Sequence, residues 1–379
     1  MNGVIRVREV RTETELEALR DEWGSLLSHA SARHAIFLSL HWHLAAWAWR
    51  AKDAELNCLV AEDEHGIVAI LPLVRSHGQR TGLKPRDLAY LTVPDTQFAD
   101  MVCARDVAEA AAMAFARYLV GIKAWDRLCF THLEKDAMVL EFLLPALQRQ
   151  GLLLSEGEAD SNAWLGLAQG WESYYASRSR RLKKGNNHVA NRLKKHFPNV
   201  DVRRIVVGKD DVENVLQQLE RISAASWKQD TGLTLDHAGP RAFMHSLSKQ
   251  LAGRGQVVVW FLVLDGQAVA SEYQLHEDGK IYALRADYDA TFEAWSPGTY
   301  LFWQLLMQTF SENGERYWMG PGRNSYKARW LEGGEPLRKF TVYNRTPLGQ
   351  YRALLDGRIR PLMRRLRDFV TTRESREGK

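Results

Sequence analysis

The stretch SPGTYLFWQLLMQTFSENG, residues 296–314, combines a punctuated helix with a chemistry that helix starts perform. Ser296 is a good N-cap, Pro297 suits the first helical position where a missing N–H costs nothing, and Asn313-Gly314 supplies a left-handed exit. The first free amides belong to Gly298, Thr299 and Tyr300. Unpaired N–H groups and the helix dipole point the same way there and can hold an anion, although most capped helices hold none. A second anion-directed feature is SRSRRLKKGNNHVANRLKKHF, residues 177–197. Arg178, Arg180, Arg181, Lys183, Lys184, Arg192, Lys194 and Lys195 fall within it with no Asp or Glu between them. Such a run fits an anionic partner (nucleotide phosphates, tRNA, a phosphorylated sugar or an acidic acyl carrier protein) as well as a merely solvated face.

The elements around these residues follow from periodicity. Leu301, Phe302, Leu305, Leu306 and Phe310 lie three or four apart, so one broad face of the helix is apolar. KIYALRADYD, residues 280–289, alternates and is rich in β-formers, so a strand feeds this helix through the loop ATFEAW. The arrangement has an echo. Residues 56–74 read as strand, turn at Gly66, strand, and residues 257–275 repeat that form around Gly266. A helix and a strand then follow in each half, over 108–133 and 298–320. A duplicated α/β unit is implied, each copy a mixed sheet flanked by helices, with the halves meeting around residues 160–200 at a cleft.

Bulk properties agree with two cores. The chain has 379 residues, 45% hydrophobic and 26% charged, with a net charge of +5. MNGVIRVREVRTETELEALRDEW contains no apolar leader, and IVAILPLV (67–74) is far too short to cross a bilayer, so a cytoplasmic location is expected. Cys58, Cys103 and Cys129 form no disulfide or metal pattern and read as reduced core residues. His41 and His43 project from different faces of one helix and make a poor metal pair, so no metal is expected. The segment 77–87 reads as a basic loop, and 357–369 as an amphipathic basic helix.

Six motifs, FLSLHWHLAAWAW (37–49), WESYYASRSRRLKKGNNHVANRLKK (171–195), SWKQDTG (226–232), YALRADYD (282–289), SPGTYLFW (296–303) and GPGRNSYKARWL (320–331), occur in the order found in CelD-like acyltransferases of the GNAT superfamily. The chain resembles these proteins over roughly residues 20–345, and they are similar in turn to the FemABX aminoacyl transferases. The resemblance implies an α/β fold of two tandem GNAT-like domains: a degenerate copy over 1–165, an acyltransferase domain over 166–345, and a helical basic tail over 346–379. It implies that strand 280–289 opens a notch where a pantetheine arm pairs like an extra strand, with its phosphates at Gly298, Thr299 and Tyr300. The usual loop carries two glycines or a glycine and an alanine, whereas EAWSPGT has one glycine and a proline. That departure leaves acyl-CoA, an acyl carrier protein and an aminoacyl-tRNA all open as donors.

Whatever the donor, an amine or hydroxyl attacking an acyl carbonyl must shed a proton and pass through an oxyanion. Backbone amides of Leu284, Arg285 and Ala286 are expected to receive the oxyanion. Asp289, Asp287, Glu272 and His237 are candidate bases; Asp289 is favoured, because it ends the donor strand and matches an acidic position of the resembling family, although an Asp in DYDAT also suits a turn cap. Tyr326 or Tyr300 would protonate the leaving group. Lys327 matches the lysine of the family's Tyr-Lys signature and would act as a charge clamp, with Arg329 available to a phosphate. Arg180, Arg181, Lys183, Lys184 and Trp227 are candidate substrate or anion contacts. The expected function is acyl transfer to a sugar or amino-compound acceptor. The alternatives are an aminoacyl-tRNA-dependent transferase and a non-catalytic module that binds RNA or an acidic partner through 178–195.

Overall fold

The computed structural model describes residues 4–356, apart from 31, 77–84, 159, 313 and 323–325. Asn313, Asn324, most of the basic loop 77–87 and the basic segment 357–369 lie outside the described residues. The first half of the chain contains β1 (Arg6–Val10), β2 (Ala54–Leu56), β3 (Cys58–Asp63), β4 (Gly66–Leu71), β5 (Leu73–Ser76), β6 (Asp87–Tyr90), β7 (Val102–Cys103), β8 (Arg127–Leu133) and β9 (Leu153–Gly157). β10 (Ser161–Gly166) ends the first half, and the second contains β11 (Val200–Val206), β12 (Val257–Leu264), β13 (Gln267–Glu277), β14 (Lys280–Tyr288), β15 (Arg316–Pro321), β16 (Gly333–Pro336) and β17 (Arg338–Tyr343).

Both expected hairpins form. β3 pairs antiparallel with β4, and β12 with β13. The second turn uses Asp265 at φ 46° and Gly266 at φ 87°, two consecutive left-handed residues of the kind a tight hairpin demands. The helices Ala108–Gly121 and Pro297–Thr309 then lead into β8 and β15. Each of these strands returns parallel to an earlier one. Asp87–Ala89 of β6 pair with Arg127–Cys129, and Lys280–Tyr282 of β14 pair with Arg316–Trp318. The chain is therefore a mixed α/β protein built on a repeated unit. The sheet of the first unit is interrupted where Pro72, which has no N–H for a ladder, separates β4 from β5. The result is a four-stranded sheet (β1-β3-β4-β7) and a six-stranded one (β2-β5-β6-β8-β17-β9). The second unit keeps one seven-stranded sheet, β11-β12-β13-β14-β15-β10-β16.

These orders show a reciprocal exchange. β10 leaves the first half and inserts between β15 and β16, while β17 returns from the second half and inserts between β8 and β9. Each unit is thus completed by a strand of the other. A shared core reinforces this: Phe37, Trp42 and Phe98 pack in one cluster with Phe243, Tyr282 and Trp318. The Nδ1 of buried His34 lies 2.8 Å from the Tyr282 hydroxyl, across the seam.

The basic run forms the helix Arg180–His196, capped by the Ser179 hydroxyl. Leu182, Val189 and Leu193 on its apolar face join the core of the second unit, against the helix Pro297–Thr309 and the turn Ala290–Trp295. Its cations therefore border the second unit, not the seam where sequence order alone would put them.

Candidate active site

β14 is where the site begins. On one side it pairs with β13 along its whole length, from Glu277↔Lys280 to Ala270↔Tyr288. On the other it pairs with β15 only as far as Tyr282↔Trp318, after which the two strands diverge. Within the β13 ladder Gln274 faces Ala283 and Tyr273 faces Arg285, so Leu284 is an extra, bulged residue at the point of divergence. The opening is a cleft of about 710 Å³, lined along this edge by Ala283, Leu284, Arg285, Ala286 and Asp287 and opposite by Met319, Tyr326 and Lys327. The equivalent position in the first unit is closed, because the segment after β6 returns to donate Ala99 N–H to the His132 carbonyl at 3.0 Å.

The buried carboxyl of Glu272 lines the cleft at 3% exposure, on β13 opposite Ala286. It accepts hydrogen bonds from the Tyr317 hydroxyl and from Gln274 Nε2 at 2.7 Å. Burial outweighs both and pushes its pKa up to about 7. It is the one candidate base whose side chain is buried in the cleft without a cationic partner among the described residues. Asp287 is paired at 2.8 Å with Lys228, which also donates to the Ala286 carbonyl at 2.7 Å. His237 is exposed, beside Asp236 and Thr234, and does not line the cleft.

The favoured base of the sequence reading, Asp289, is a turn cap. Its carboxylate accepts from Thr291 N at 2.9 Å and Thr291 Oγ1 at 2.7 Å, starting the turn Ala290–Trp295, and it does not line the cleft. The DYDAT motif has the role an Asp before a turn usually has. Asp289→Asn keeps an acceptor oxygen and is expected to leave turnover unchanged. Asp289→Ala should cost about 1 kcal/mol of stability, readable as a lowered melting temperature.

Lys327 lines the cleft from the short helix Lys327–Arg329. Its ammonium donates to the carbonyls of Gly320 (2.8 Å) and Pro321 (2.9 Å). Burial lowers its pKa to about 8. Tyr326 stands beside it, edge-on to Phe302 with ring centroids 5.0 Å apart, and burial holds its phenol well above the ordinary tyrosine range. Arg329 is exposed and outside the cleft lining, because the segment is a helical turn and not extended.

At the helix start, Gly298 and Thr299 line the cleft, and Tyr300 is buried below them. Ser296 takes a left-handed φ of 53° and makes no side-chain cap; its carbonyl instead accepts from Thr299 N (3.1 Å) and Tyr300 N (3.2 Å). Of the three amides expected to face an anion, those two close the first turn. Arg192, which the sequence reading placed only in the basic run, donates to the Ser296 hydroxyl at 3.2 Å and lies over Trp295.

The remaining expected contacts divide. Trp227 stands on the cleft rim, 62% exposed. Arg180, Arg181 and Lys184 are exposed and Lys183 donates to the Ala176 carbonyl; none of the four lines the cleft. Arg285 lines the cleft edge, and its guanidinium pairs with Asp95 of the first unit at 2.7 Å, lies over the face of Trp49 and donates to the Leu233 carbonyl of the second unit at 2.7 Å. Sequence reasoning missed Asp95, Gln97 and Lys228, whose roles come from chain segments far apart in sequence.

Residues 178–328 match the model of the acetyltransferase (GNAT) domain family. No curated protein matches the sequence. Among solved structures, FemX is similar over 92% of this chain and 100% of its own, with a TM-score of 0.56 at 11% identity. A conserved protein of unknown function from Bacteroides thetaiotaomicron is similar over 89% and 100%, with a TM-score of 0.54 at 14% identity. L-PGS from Bacillus licheniformis is similar over 92% and 96%, with a TM-score of 0.50 at 12% identity. At these identities the likeness is one of fold, and it runs through both units.

Proposed function

We propose that this GNAT-superfamily chain transfers an acyl group from a thioester to an amine or hydroxyl of a small acceptor, with Glu272 as the proton acceptor. One observation carries the reading: the strand pair β14–β15 separates beside a bulge, and a buried carboxyl with a pKa of about 7 lines the opening. A carboxylate poised near neutrality is well matched to general-base work.

In the proposed reaction the acceptor nitrogen or oxygen attacks the acyl carbonyl carbon and its proton passes to Glu272. The carbonyl becomes an oxyanion, received by backbone N–H groups at the Leu284 bulge and by the positive charge of Lys327. Collapse forms the C–N or C–O bond and breaks the C–S bond. The leaving thiolate takes a proton from Tyr326, a candidate donor in the cleft lining that solvent reprotonates, and free thiol departs. Trp227 at the rim is a platform for the acceptor.

Two ionisations bound the pH range. Glu272 must be unprotonated, so kcat/KM rises with pH through about 7; Lys327 must stay protonated, so it falls again above about 8. A narrow bell is expected. Lys327→Met should flatten the alkaline limb and lower turnover about 10²-fold. The founding test is release of free thiol from a panel of acyl thioesters, dependent on added amine or alcohol. Absence of acceptor-dependent release from every thioester would remove this reading.

A second reading, transfer from an aminoacyl-tRNA ester, is favoured by a specific feature of the open edge. The carbonyls of Ala283 and Ala286 already accept from Gln97 (2.8 Å) and Lys228 (2.7 Å), so an arm pairing as an extra strand must displace Lys228. The exposed cations of the helix Arg180–His196 fit phosphates of such a donor. Transfer of a labelled aminoacyl group, lost on neutralising Arg180, Arg181 and Lys184, identifies this case.

A further inference from the structure

The innermost end of the cleft is lined by the second unit and backed by the first, whose Gln97 bonds to the lining residue Ala283. Ala283 is the deepest β14 residue that lines it, immediately after the last parallel pair Tyr282↔Trp318. Gln97 of the first unit, 1% exposed, reaches that point: its Nε2 donates to the Ala283 carbonyl at 2.8 Å, and its Oε1 accepts from Asn162 Nδ2 at 3.1 Å. Asn162 is fully buried and lies on the exchanged strand β10, where its Oδ1 has no partner among the described residues. Gly320 of β15 closes the other side at φ 82°. A Cβ there would stand 3.8 Å from Gln97 Nε2, 3.8 Å from Lys327 Nζ and 3.7 Å from the Ala283 carbonyl. The segment that carries Gln97 is held by the buried Asp95–Arg285 pair, each side chain 10% exposed or less.

Resting on the acyl-transfer reading, we propose that Gln97 is the depth stop of the acyl slot, a specificity-determining residue supplied by the non-catalytic unit. An acyl carbonyl seated at the Leu284 bulge directs its chain toward the apex of the splayed strands. There the Gln97 amide, tied at both ends, fills the space a longer chain would need. The Gln97 and Asn162 amides lie directly behind Ala283, so an alkyl chain pushed past that point would strip their hydrogen bonds without replacing them. The slot thus takes short acyl groups, and its length is set by a residue on the far side of the seam from Glu272 and Lys327.

The test is a chain-length profile. Acyl-CoA and acyl-pantetheine thioesters of two to twelve carbons are compared by thiol release, and S-alkyl pantetheines of the same lengths by calorimetric binding. Wild type, Gln97→Ala and Gln97→Met are measured, with melting curves to establish that each variant is folded. The wild-type profile should peak at the shortest chains. Gln97→Ala should raise the ratio of kcat/KM for eight carbons over two by at least about tenfold, which corresponds to about two buried methylenes. Gln97→Met keeps the volume without the amide and should retain the short-chain peak. If Gln97→Ala does not fold, Gln97→Asn, shorter by one methylene, should move the peak by one or two carbons. Thioesters consumed with the same profile in every folded variant would overturn the depth stop and leave acyl transfer standing. Thioesters neither bound nor consumed by any form would overturn both.

Discussion

Replacing Glu272 with glutamine is expected to lower kcat/KM by about 10²- to 10⁴-fold and to remove the acid limb of the pH profile, because the variant keeps shape but accepts no proton. The same substitution should stabilise the protein. Burial raises the Glu272 pKa from 4.5 to about 7, so between those values the folded state holds a proton that the unfolded chain has released. Stability from this group is therefore full below about pH 4.5 and falls as pH rises toward 7. Glutamine does not titrate, so the variant should melt higher than wild type at pH 8, with the gap closing by pH 5. The 2.5-unit difference sets an upper limit of about 3 kcal/mol. Loss of turnover together with gained stability at high pH is the signature of a group held for chemistry at a cost to folding. A folded Glu272→Gln enzyme of undiminished rate would show that another group takes the proton.

Arg285→Met is expected to damage the fold more than the reaction. Arg285 and Asp95 form a pair that is nearly closed to solvent, and Asp95 has its pKa raised by burial even with the guanidinium beside it. Removing the cation leaves a buried carboxylate unpaired, a change that costs about 3–5 kcal/mol. At about 2–4 °C per kcal/mol, melting should fall by on the order of 10 °C. The deficit should shrink as pH falls, since a protonated Asp95 needs no partner, and Asp95→Asn in the same chain should recover part of it. A melting temperature within a degree or two of wild type would mean that the pair does not hold the Gln97 segment to β14.

The second unit was legible in the sequence where local signals carry the structure. Alternation marked a strand over 280–289, which the structure ends at Tyr288; Pro297 with the Leu–Phe spacing marked the following helix, and the two glycine turns the duplicated hairpins. Residues that act through distant partners were not legible. Glu272 could be named only as one of four candidate bases: it sits in a strand whose neighbours are nearly all buried, and only the fold shows that this carboxyl faces a cleft. Asp289 was the better sequence candidate because it ends the strand, yet a carboxylate two residues before a threonine amide is satisfied locally and has no need of a cleft. The return of Arg338–Tyr343 to the first sheet has no local mark either. A strand that completes a neighbouring unit reads like one that completes its own, since pairing partners are chosen by tertiary register. Gln97 belongs to the same class: its importance lies in meeting Ala283 and Asn162, 186 and 65 residues away.

Amide hydrogen exchange with and without a non-hydrolysable S-acyl pantetheine analogue tests the central claim most directly, that the opening between β14 and β15 is the acyl-donor slot. Protection is predicted at Leu284–Asp287 and at Gly298, with the equivalent region of the first unit, around Ala99 and His132, unchanged. Saturable binding with protection confined to the first unit, or to the basic helix Arg180–His196, would contradict it.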